Sequence, residues 1–463
     1  MSYHRIQQTL KDSKKARWTA LLILSFTMFA AYMFTEVISP LKPILERTYG
    51  WDSTDFGTVT SAYALFNVFF FMLIIVGYLL DKFGIRVSTV ASAGIMIIGA
   101  FLKWMAFKGI FSADDEINIL GLFQLKEQVF FAAFGYALFG VGSEYAGIVV
   151  TKAIVKWFSG YEVALAMGMQ VTIARIGSFV PLAFGAWIAN RTGVSVWLLI
   201  CMLFLIAGLI AFFYYNLMDR KLDKQMVASL PESAEEEFRL SDVKLIISNK
   251  GFWLIAILCL LFYSAVFPFY KYGPDLMVNK FGVSEDWAGL LPSLVPFGTM
   301  LLTPLFGGLY DSKGKGASIM ILGSLLLIVV HAIFFLPFIT SVVAAFFNVI
   351  LLGIAFSLVP SAMWPSVAKI IPEKQLGSAY ALIFWVQNIG LWGIPLLIGI
   401  VLDKTNPGIA AAKQAGESVS YNYTLTWTIF VILTVAAFLV ALMLKAENRR
   451  KGYGLELPNI QIK

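Results

Sequence analysis

The sequence predicts an all-α membrane protein in which twelve transmembrane helices form two pseudo-symmetric six-helix bundles. Hydrophobic residues make up 59% of the 463 residues and charged residues only 14%, which is typical of a chain surrounded mostly by lipid. The apolar runs are long, as membrane helices require, and they lack the alternation of barrel strands. A short motif recurs in both halves of the chain, which indicates an internal duplication. These observations exclude a soluble globular protein.

The predicted spans fall into two groups of six. They are 18–40, 54–80, 87–108, 127–152, 162–190, 195–216, 250–272, 285–310, 317–338, 341–366, 375–402 and 424–445. The stretch 217–249 between the groups mixes both signs of charge with Pro and Ser, which is typical of a linker with short amphipathic helices. We therefore divide the chain into an amino-terminal bundle (1–216), a linker (217–249) and a carboxy-terminal bundle (250–463).

Basic residues are distributed unequally between the two sides of the membrane. If the amino terminus is cytosolic, 24 Lys and Arg lie on the cytosolic side and 10 on the other, leaving Arg175 aside. The positive-inside rule then puts both termini and the linker in the cytosol. The net charge of +7 thus reflects topology, and no basic patch predicts a nucleic-acid partner.

Two charged residues lie well inside predicted spans, Glu144 in the fourth and Arg175 in the fifth. An isolated charge at mid-membrane costs on the order of 3 kcal/mol, so such residues usually face a protein interior or a water-filled cavity. Counted from the turn that joins the two helices, the depths of Glu144 and Arg175 in the membrane differ by about 7 Å. Two residues in extended conformation span at most about the same distance. The spacing suits a zwitterion one dipeptide long, with its ammonium on Glu144 and its carboxylate on Arg175. A buried structural ion pair between the two is the open alternative.

The motif G-x-x-x-D-x-x-G ends the second span and recurs at the end of the eighth, with Asp81 in the first copy and Asp311 in the second. The first copy also carries Lys82, Gly84 and Arg86, and it resembles the signature between helices two and three of the major facilitator superfamily. The resemblance covers the whole plan of six helices, linker and six helices, and it implies two bundles that rock about a central site. We expect these residues to form a charged latch that pairs across the bundles in one state and opens in the other.

Further segments resemble the lysosomal dipeptide uniporter branch of that superfamily and its bacterial relatives. They are GSEY at 142–145, KWF at 156–158, ARIGS at 174–178, PSAMWP at 360–365, PEKQLGSAY at 372–380 and VQNIG at 386–390. The resemblance implies that Glu144 and Arg175 hold the termini of a dipeptide. It also implies that Trp364 and Asn388 line the same cavity. Because Trp364 precedes a proline, it can stack on a substrate and supply an indole donor.

Other residues in or near the spans receive less specific interpretations. Tyr32 and Tyr263 occupy corresponding depths of helices one and seven, so we expect both on the cavity wall. Glu36, close to two prolines at the end of helix one, is placed at the membrane interface, and a position on a cavity wall is the open alternative. Lys103 and Lys271 are expected to extend their long stems toward the interface as well. For Lys271, substrate contact or gating is the open alternative.

No nucleotide-binding loop, hydrolase motif or cluster of metal ligands occurs, so we predict no enzyme, metal or cofactor. Cys201, Cys259 and His331 are expected to be packing residues. The sequence predicts a secondary active or facilitative transporter of a small zwitterionic solute, best matched by dipeptides, that acts by alternating access as a monomer in a bacterial cytoplasmic membrane. Two alternatives stay open: a carrier of small organic anions, in which Arg175 holds the anion and Glu144 carries a proton, and a non-transporting membrane sensor.

Overall fold

The computed structural model describes residues 9–113, 115–119, 121, 123–226, 240–372 and 375–459. This part of the chain is almost entirely helical. Its α-helices are α1 (Lys14–Thr35), α2 (Lys42–Tyr49), α3 (Ser53–Ser61), α4 (Leu65–Phe69), α5 (Met72–Phe107), α6 (Glu127–Phe158), α7 (Val163–Thr192), α8 (Val194–Met226), α9 (Leu240–Ile247), α10 (Lys250–Phe281), α11 (Leu290–Lys313), α12 (Gly316–Phe335), α13 (Val342–Ile370), α14 (Leu376–Thr405), α15 (Ile409–Gln414) and α16 (Thr424–Lys451). Strands β1 (Glu116–Ile119) and β2 (Phe123–Lys126) form an antiparallel hairpin between α5 and α6. The centre of the predicted linker, 227–239, and residues 373–374 of the PEKQLGSAY segment lie outside the described residues.

Among the described residues, eleven helices are long and apolar enough to cross a membrane, so the chain is a multi-pass membrane protein. The prediction of one continuous helix over 54–80 was wrong. That span is divided among α3, α4 and the start of α5, and the break is marked by Phe71, whose φ is 52°. The Phe71 ring stacks on Trp385 of the other bundle at 5.5 Å between centroids. Contact between the bundles, which hydropathy does not report, therefore accompanies the break.

The ends of several helices also differ from the predicted spans. α6 continues to Phe158, α8 to Met226 and α10 to Phe281, in each case beyond the predicted apolar run. Polar residues continue a helix where no breaker intervenes, and α10 ends only before Gly282, whose φ is 68°. Hydropathy therefore located the membrane-crossing part of these helices and underestimated their length.

The two bundles pack against each other mainly through two helix pairs, α3 with α14 and α7 with α11. The backbones touch where these pairs cross. A Cβ atom on Gly399 would lie 2.2 Å from the Ser53 carbonyl oxygen, and one on Gly289 would lie 2.0 Å from that of Leu182. Both contacts lie at the end of the molecule that carries the hairpin, which we call the far face. The end where the described chain begins and finishes is the tail face.

Candidate functional site

A cavity of about 430 Å³ opens between the two bundles, within the range typical of small-molecule sites. Side chains of both bundles line it. The six predicted site residues Tyr32, Glu144, Arg175, Tyr263, Trp364 and Asn388 are all on its wall. The structure thus brings together residues that lie up to 356 positions apart in sequence, while their contact with a substrate stays a prediction.

Glu144 enters the cavity from the middle of α6. One of its carboxylate oxygens accepts a hydrogen bond of 3.0 Å from the Tyr63 hydroxyl, which also lies 3.3 Å from the Ser143 hydroxyl. Within the described chain no Lys or Arg lies within 4 Å of the Glu144 carboxylate. The second carboxylate oxygen is therefore available to a ligand.

Arg175 enters the cavity from α7 and lies among aromatic rings. Its guanidinium carbon is 5.3 Å from the centroid of Phe356 and 5.9 Å from that of Tyr32. The Nη1 group is buried and has no hydrogen-bond partner in the described part of the protein. A buried donor without an acceptor is costly, so an anionic ligand group at this point would be strongly stabilised.

The alternative of a structural ion pair between Glu144 and Arg175 is wrong for this conformation. Each side chain has its own neighbours, Tyr63 for the acid and two aromatic rings for the base. The cavity therefore presents one acid and one base that do not neutralise each other by contact.

The carboxy-terminal bundle contributes an aromatic wall and an amide. The Trp364 indole stacks on Phe384 with 4.9 Å between centroids and donates a hydrogen bond of 3.0 Å to the Tyr263 hydroxyl. The expected indole donor is thus already used, although the ring still lines the cavity. Asn388 donates to the Phe384 carbonyl at 2.9 Å, while its side-chain oxygen is buried without a partner in the described chain. Its oxygen is an available acceptor for a ligand.

Glu36 and Lys271 also line the cavity, although the sequence analysis favoured the membrane interface for both. Both side chains are buried, and the Lys271 ammonium lies 2.8 Å from the Glu36 carboxylate. Their placement at the interface was wrong because the chain after α1 turns inward through a 3-10 helix at Ser39–Leu41 and stays buried. The available signal was the same as for Glu144: a charge of each sign within the corresponding helices one and seven.

The interfacial placement of Lys103 was wrong as well. Its side chain is fully buried, its ammonium lies 3.5 Å from the centroid of the Tyr136 ring, and it has no hydrogen-bond partner in the described part. The hydrophobicity of the neighbouring helices did not reveal that an aromatic face would receive the cation. His331 is buried and stacks on Phe430 at 4.9 Å, as a packing residue does. Cys201 and Cys259 are buried and free.

The predicted latch residues lie at the tail face, and their contacts among the described residues are within their own bundles. Asp81 is 62% exposed and pairs with Lys152 of α6 at 3.0 Å, and the Lys82 ammonium lies over the Tyr78 ring at 5.8 Å. Arg86 pairs with Asp223 of α8 at 3.1 Å. At Gly84, φ is 75°, which lets α5 turn between its two spanning parts. Asp311 accepts a hydrogen bond of 2.7 Å from Asn459 of the carboxy-terminal tail.

The far face is closed by ionic contacts between the bundles. The buried Lys42 ammonium lies 3.0 Å from Asp275, and near the rim Arg47 lies 2.7 Å from Glu285. Asp403 accepts hydrogen bonds from the backbone N–H groups of Ser53 and Thr54, where α3 begins. In this conformation the cavity is therefore sealed toward the far face.

The sequence profile of the Major Facilitator Superfamily matches residues 24–395. The chain belongs to this superfamily of membrane transporters. Among solved structures, the D-xylose-proton symporter has a TM-score of 0.66 and 15% identity, covering 92% of this chain and 97% of that one. A bacterial homolog of the human lysosomal transporter Spinster has a TM-score of 0.66 and 14% identity, covering 95% and 98%. Both matches show the shared fold.

Curated members of the superfamily are more similar in sequence. The lysosomal dipeptide transporter MFSD1 of Homo sapiens is 29% identical over 454 residues, which cover 95% of this chain and 88% of that protein. MFSD1 of Bos taurus is 30% identical over 402 residues, covering 84% and 80%. MFSD1 of Gallus gallus is 31% identical over 328 residues, covering 68% and 71%.

Proposed function

We propose that the chain moves dipeptides across the membrane by alternating access, with Glu144 binding the amino-terminal ammonium and Arg175 the carboxylate. The observation that carries this proposal is the presence of both charges in one cavity without contact between them. Among the described residues, Glu144 retains an oxygen without a partner, and Arg175 retains a buried N–H group without an acceptor. A zwitterion supplies the missing partner to each.

The rest of the cavity wall supports a peptide ligand. Asn388 offers a carbonyl oxygen that can accept from an amide N–H, while Tyr32 and Tyr263 add hydroxyl groups beside the rings of Trp364 and Phe356. A few polar groups on a mainly apolar wall orient a ligand and tolerate varied side chains. The names of the relatives, dipeptide transporters in three vertebrates, support the same substrate class.

The proposal also assigns an orientation of the protein in the membrane. The distribution of Lys and Arg favours a cytosolic tail face, so we place both termini and the linker in the cytosol of a cell whose cytoplasmic membrane holds the chain as a monomer. The cavity is then closed to the outside by the far-face contacts, and the latch residues are engaged within their own bundles. No catalytic step is assigned.

Uptake into liposomes containing the purified protein tests the two anchors separately. We expect an unmodified dipeptide to compete with a labelled dipeptide for uptake. Acetylation of its amino terminus or amidation of its carboxylate should each weaken the binding free energy by roughly 2–4 kcal/mol. Free amino acids are too short for a gap of about 7 Å and should bind less tightly than dipeptides. Matched variants are Glu144→Gln, which should lose the preference for a free amino terminus, and Arg175→Gln, which removes the positive charge and should lose the preference for a free carboxylate.

The unpartnered N–H group of Arg175 favours a second candidate, a carrier of small organic anions. For such a carrier, acetylated and free dipeptides would compete equally, and simple carboxylates would compete as well. Glu144→Gln would then spare binding. Equal competition by the two peptide forms is therefore the result that removes the dipeptide proposal.

A further inference from the structure

Glu36 and Lys271 form a part of the cavity wall that the binding of a dipeptide's two termini leaves unused. Glu36 ends α1 of the first bundle, and Lys271 belongs to α10 of the second. Both line the same cavity as Glu144 and Arg175. The wall thus carries a second acid and a second base, and these two are in contact.

The charges of this pair are fully compensated by local partners. The Lys271 ammonium donates to the Thr35 carbonyl at 2.9 Å, to Glu36 at 2.8 Å and to the Ser39 hydroxyl at 3.2 Å. An ammonium has three N–H groups, so none remains for a ligand. The Glu36 oxygen that accepts from Lys271 also accepts from Ser39 at 2.6 Å. The pair therefore presents a polar surface without net charge.

Contacts between neighbouring side chains connect the pair with the Glu144 anchor. The Tyr63 ring lies 5.6 Å from the Tyr136 ring, and the Tyr63 hydroxyl donates to Glu144. The Tyr136 hydroxyl donates to the Thr35 carbonyl, which also accepts from Lys271. Two tyrosines thus separate the site for the ammonium from the ion pair. A side chain of a dipeptide held by Glu144 can extend along them.

We propose that Glu36 and Lys271 form a charge-compensated subsite for a substrate side chain, which lets the carrier accept cationic, neutral and acidic dipeptides alike. This inference rests on the proposed dipeptide function. A cationic side chain binds Glu36 while Lys271 keeps its bonds to Thr35 and Ser39, and an acidic side chain binds Lys271 while Glu36 keeps its bond to Ser39. A neutral side chain leaves the pair intact. The nearby Lys103 packs on the Tyr136 ring and is not on the cavity wall.

Removal of one charge converts this tolerance into selectivity. In Lys271→Gln the unpaired Glu36 should favour a cationic side chain over an acidic one by about tenfold or more, because one charged hydrogen bond is gained and like charges are repelled. In Glu36→Gln the unpaired Lys271 should reverse the order. The double variant Glu36→Gln/Lys271→Gln has no charge to satisfy and should again accept all three classes.

The measurement is the uptake of labelled alanylalanine into proteoliposomes in the presence of competing dipeptides. Each competitor combines Ala with Lys, Gln or Glu, in either order. Wild-type protein and the double variant should show similar competition by the three classes, and the two single variants should show opposite orders. If the single variants alter the uptake rate but leave the order of competition by the three dipeptide classes unchanged, the pair serves only as a contact between the two bundles. That result would overturn the subsite.

A second measurement needs no variant and holds even if an unpaired charge prevents folding. Saturating dipeptides of the three classes should raise the melting temperature of the wild-type protein by similar amounts. A large preference of the wild-type protein for one charge class would overturn the subsite while leaving dipeptide transport intact. Absence of alanylalanine uptake by the wild-type protein would instead overturn the proposed function.

Discussion

The far face and the tail face of the molecule hold their charged residues in opposite ways. At the far face, Lys42 of one bundle pairs with Asp275 of the other, and Asp403 of α14 accepts from the first N–H groups of α3. At the tail face, Asp81 and Arg86 pair within the first bundle. The far-face contacts therefore join the two bundles in this conformation, whereas the tail-face ion pairs of Asp81 and Arg86 do not. Pairing of the latch residues across the bundles in another state stays a prediction.

Loss of the buried far-face cation should have the largest effect. In Lys42→Met the carboxylates of Asp275 and Glu46 lose their common partner inside the protein, and removal of one partner of a buried ion pair costs about 3–5 kcal/mol. We expect a lower melting temperature and faster labelling of a cysteine placed at the far-face end of the cavity.

The matched control for Lys42 is Arg47→Gln, which removes another cross-bundle cation of the same face. Because the Arg47 side chain is 48% exposed, its pair with Glu285 should contribute only about 0–1 kcal/mol. Equal effects of the two variants on melting and labelling would show that the closure of the far face does not depend on the buried pair.

Removal of the carboxylate that accepts from α3 should have an intermediate effect. Asp403→Asn keeps the shape of the side chain and loses the negative charge beside the first N–H groups of α3, which corresponds to about 1 kcal/mol for a helix cap. We expect a modest rise in far-face labelling and little change in dipeptide affinity, since Asp403 is not on the cavity wall. Unchanged labelling of the far-face cysteine would show that closure of the far face does not depend on Asp403.

The smallest effect on stability is expected at the tail face. Because Asp81 is 62% exposed and its ion pair is with the surface residue Lys152, Asp81→Asn should change the free energy of unfolding by about 0–1 kcal/mol. It should nevertheless slow transport, since it removes a partner that the latch needs in the other state, and dipeptide affinity should be retained.

Asp311→Asn is the control for Asp81, because the second copy of the motif is bound to the carboxy-terminal tail. We expect this variant to slow transport less than Asp81→Asn does. Normal turnover of Asp81→Asn would reduce the first copy of the motif to a marker of topology.

Sequence and structure agree best where a single charged residue lies within an apolar segment. Glu144 and Arg175 are charges inside apolar runs, so their position on a cavity wall follows from the cost of exposing them to lipid. The superfamily resemblance added Trp364 and Asn388, and helix correspondence added the two tyrosines. All six line the cavity, and their contact with a substrate stays a prediction.

Sequence failed where partners come from distant parts of the chain. Glu36 and Lys271 are 235 positions apart, and neither position alone reveals that the other compensates it. Lys103 was misplaced for a similar reason, since the ring that receives its ammonium belongs to another helix. The break at Phe71 is accompanied by a contact with the second bundle, which the hydropathy of 54–80 does not contain. A single span does not report which residue of another helix will pair with its own.

Both described ends of the chain are fixed to a bundle of their own. The backbone N–H of Leu10 donates to Gln225 of α8, and the Tyr161 hydroxyl donates to Asp12. At the other end, the backbone of 455–459 bonds to the turn between α11 and α12. Fluorophores attached at positions 10 and 459 would therefore move as rigid extensions of the first and second bundle. The distance between them would report the angle between the bundles during each transport cycle, without interference from the linker.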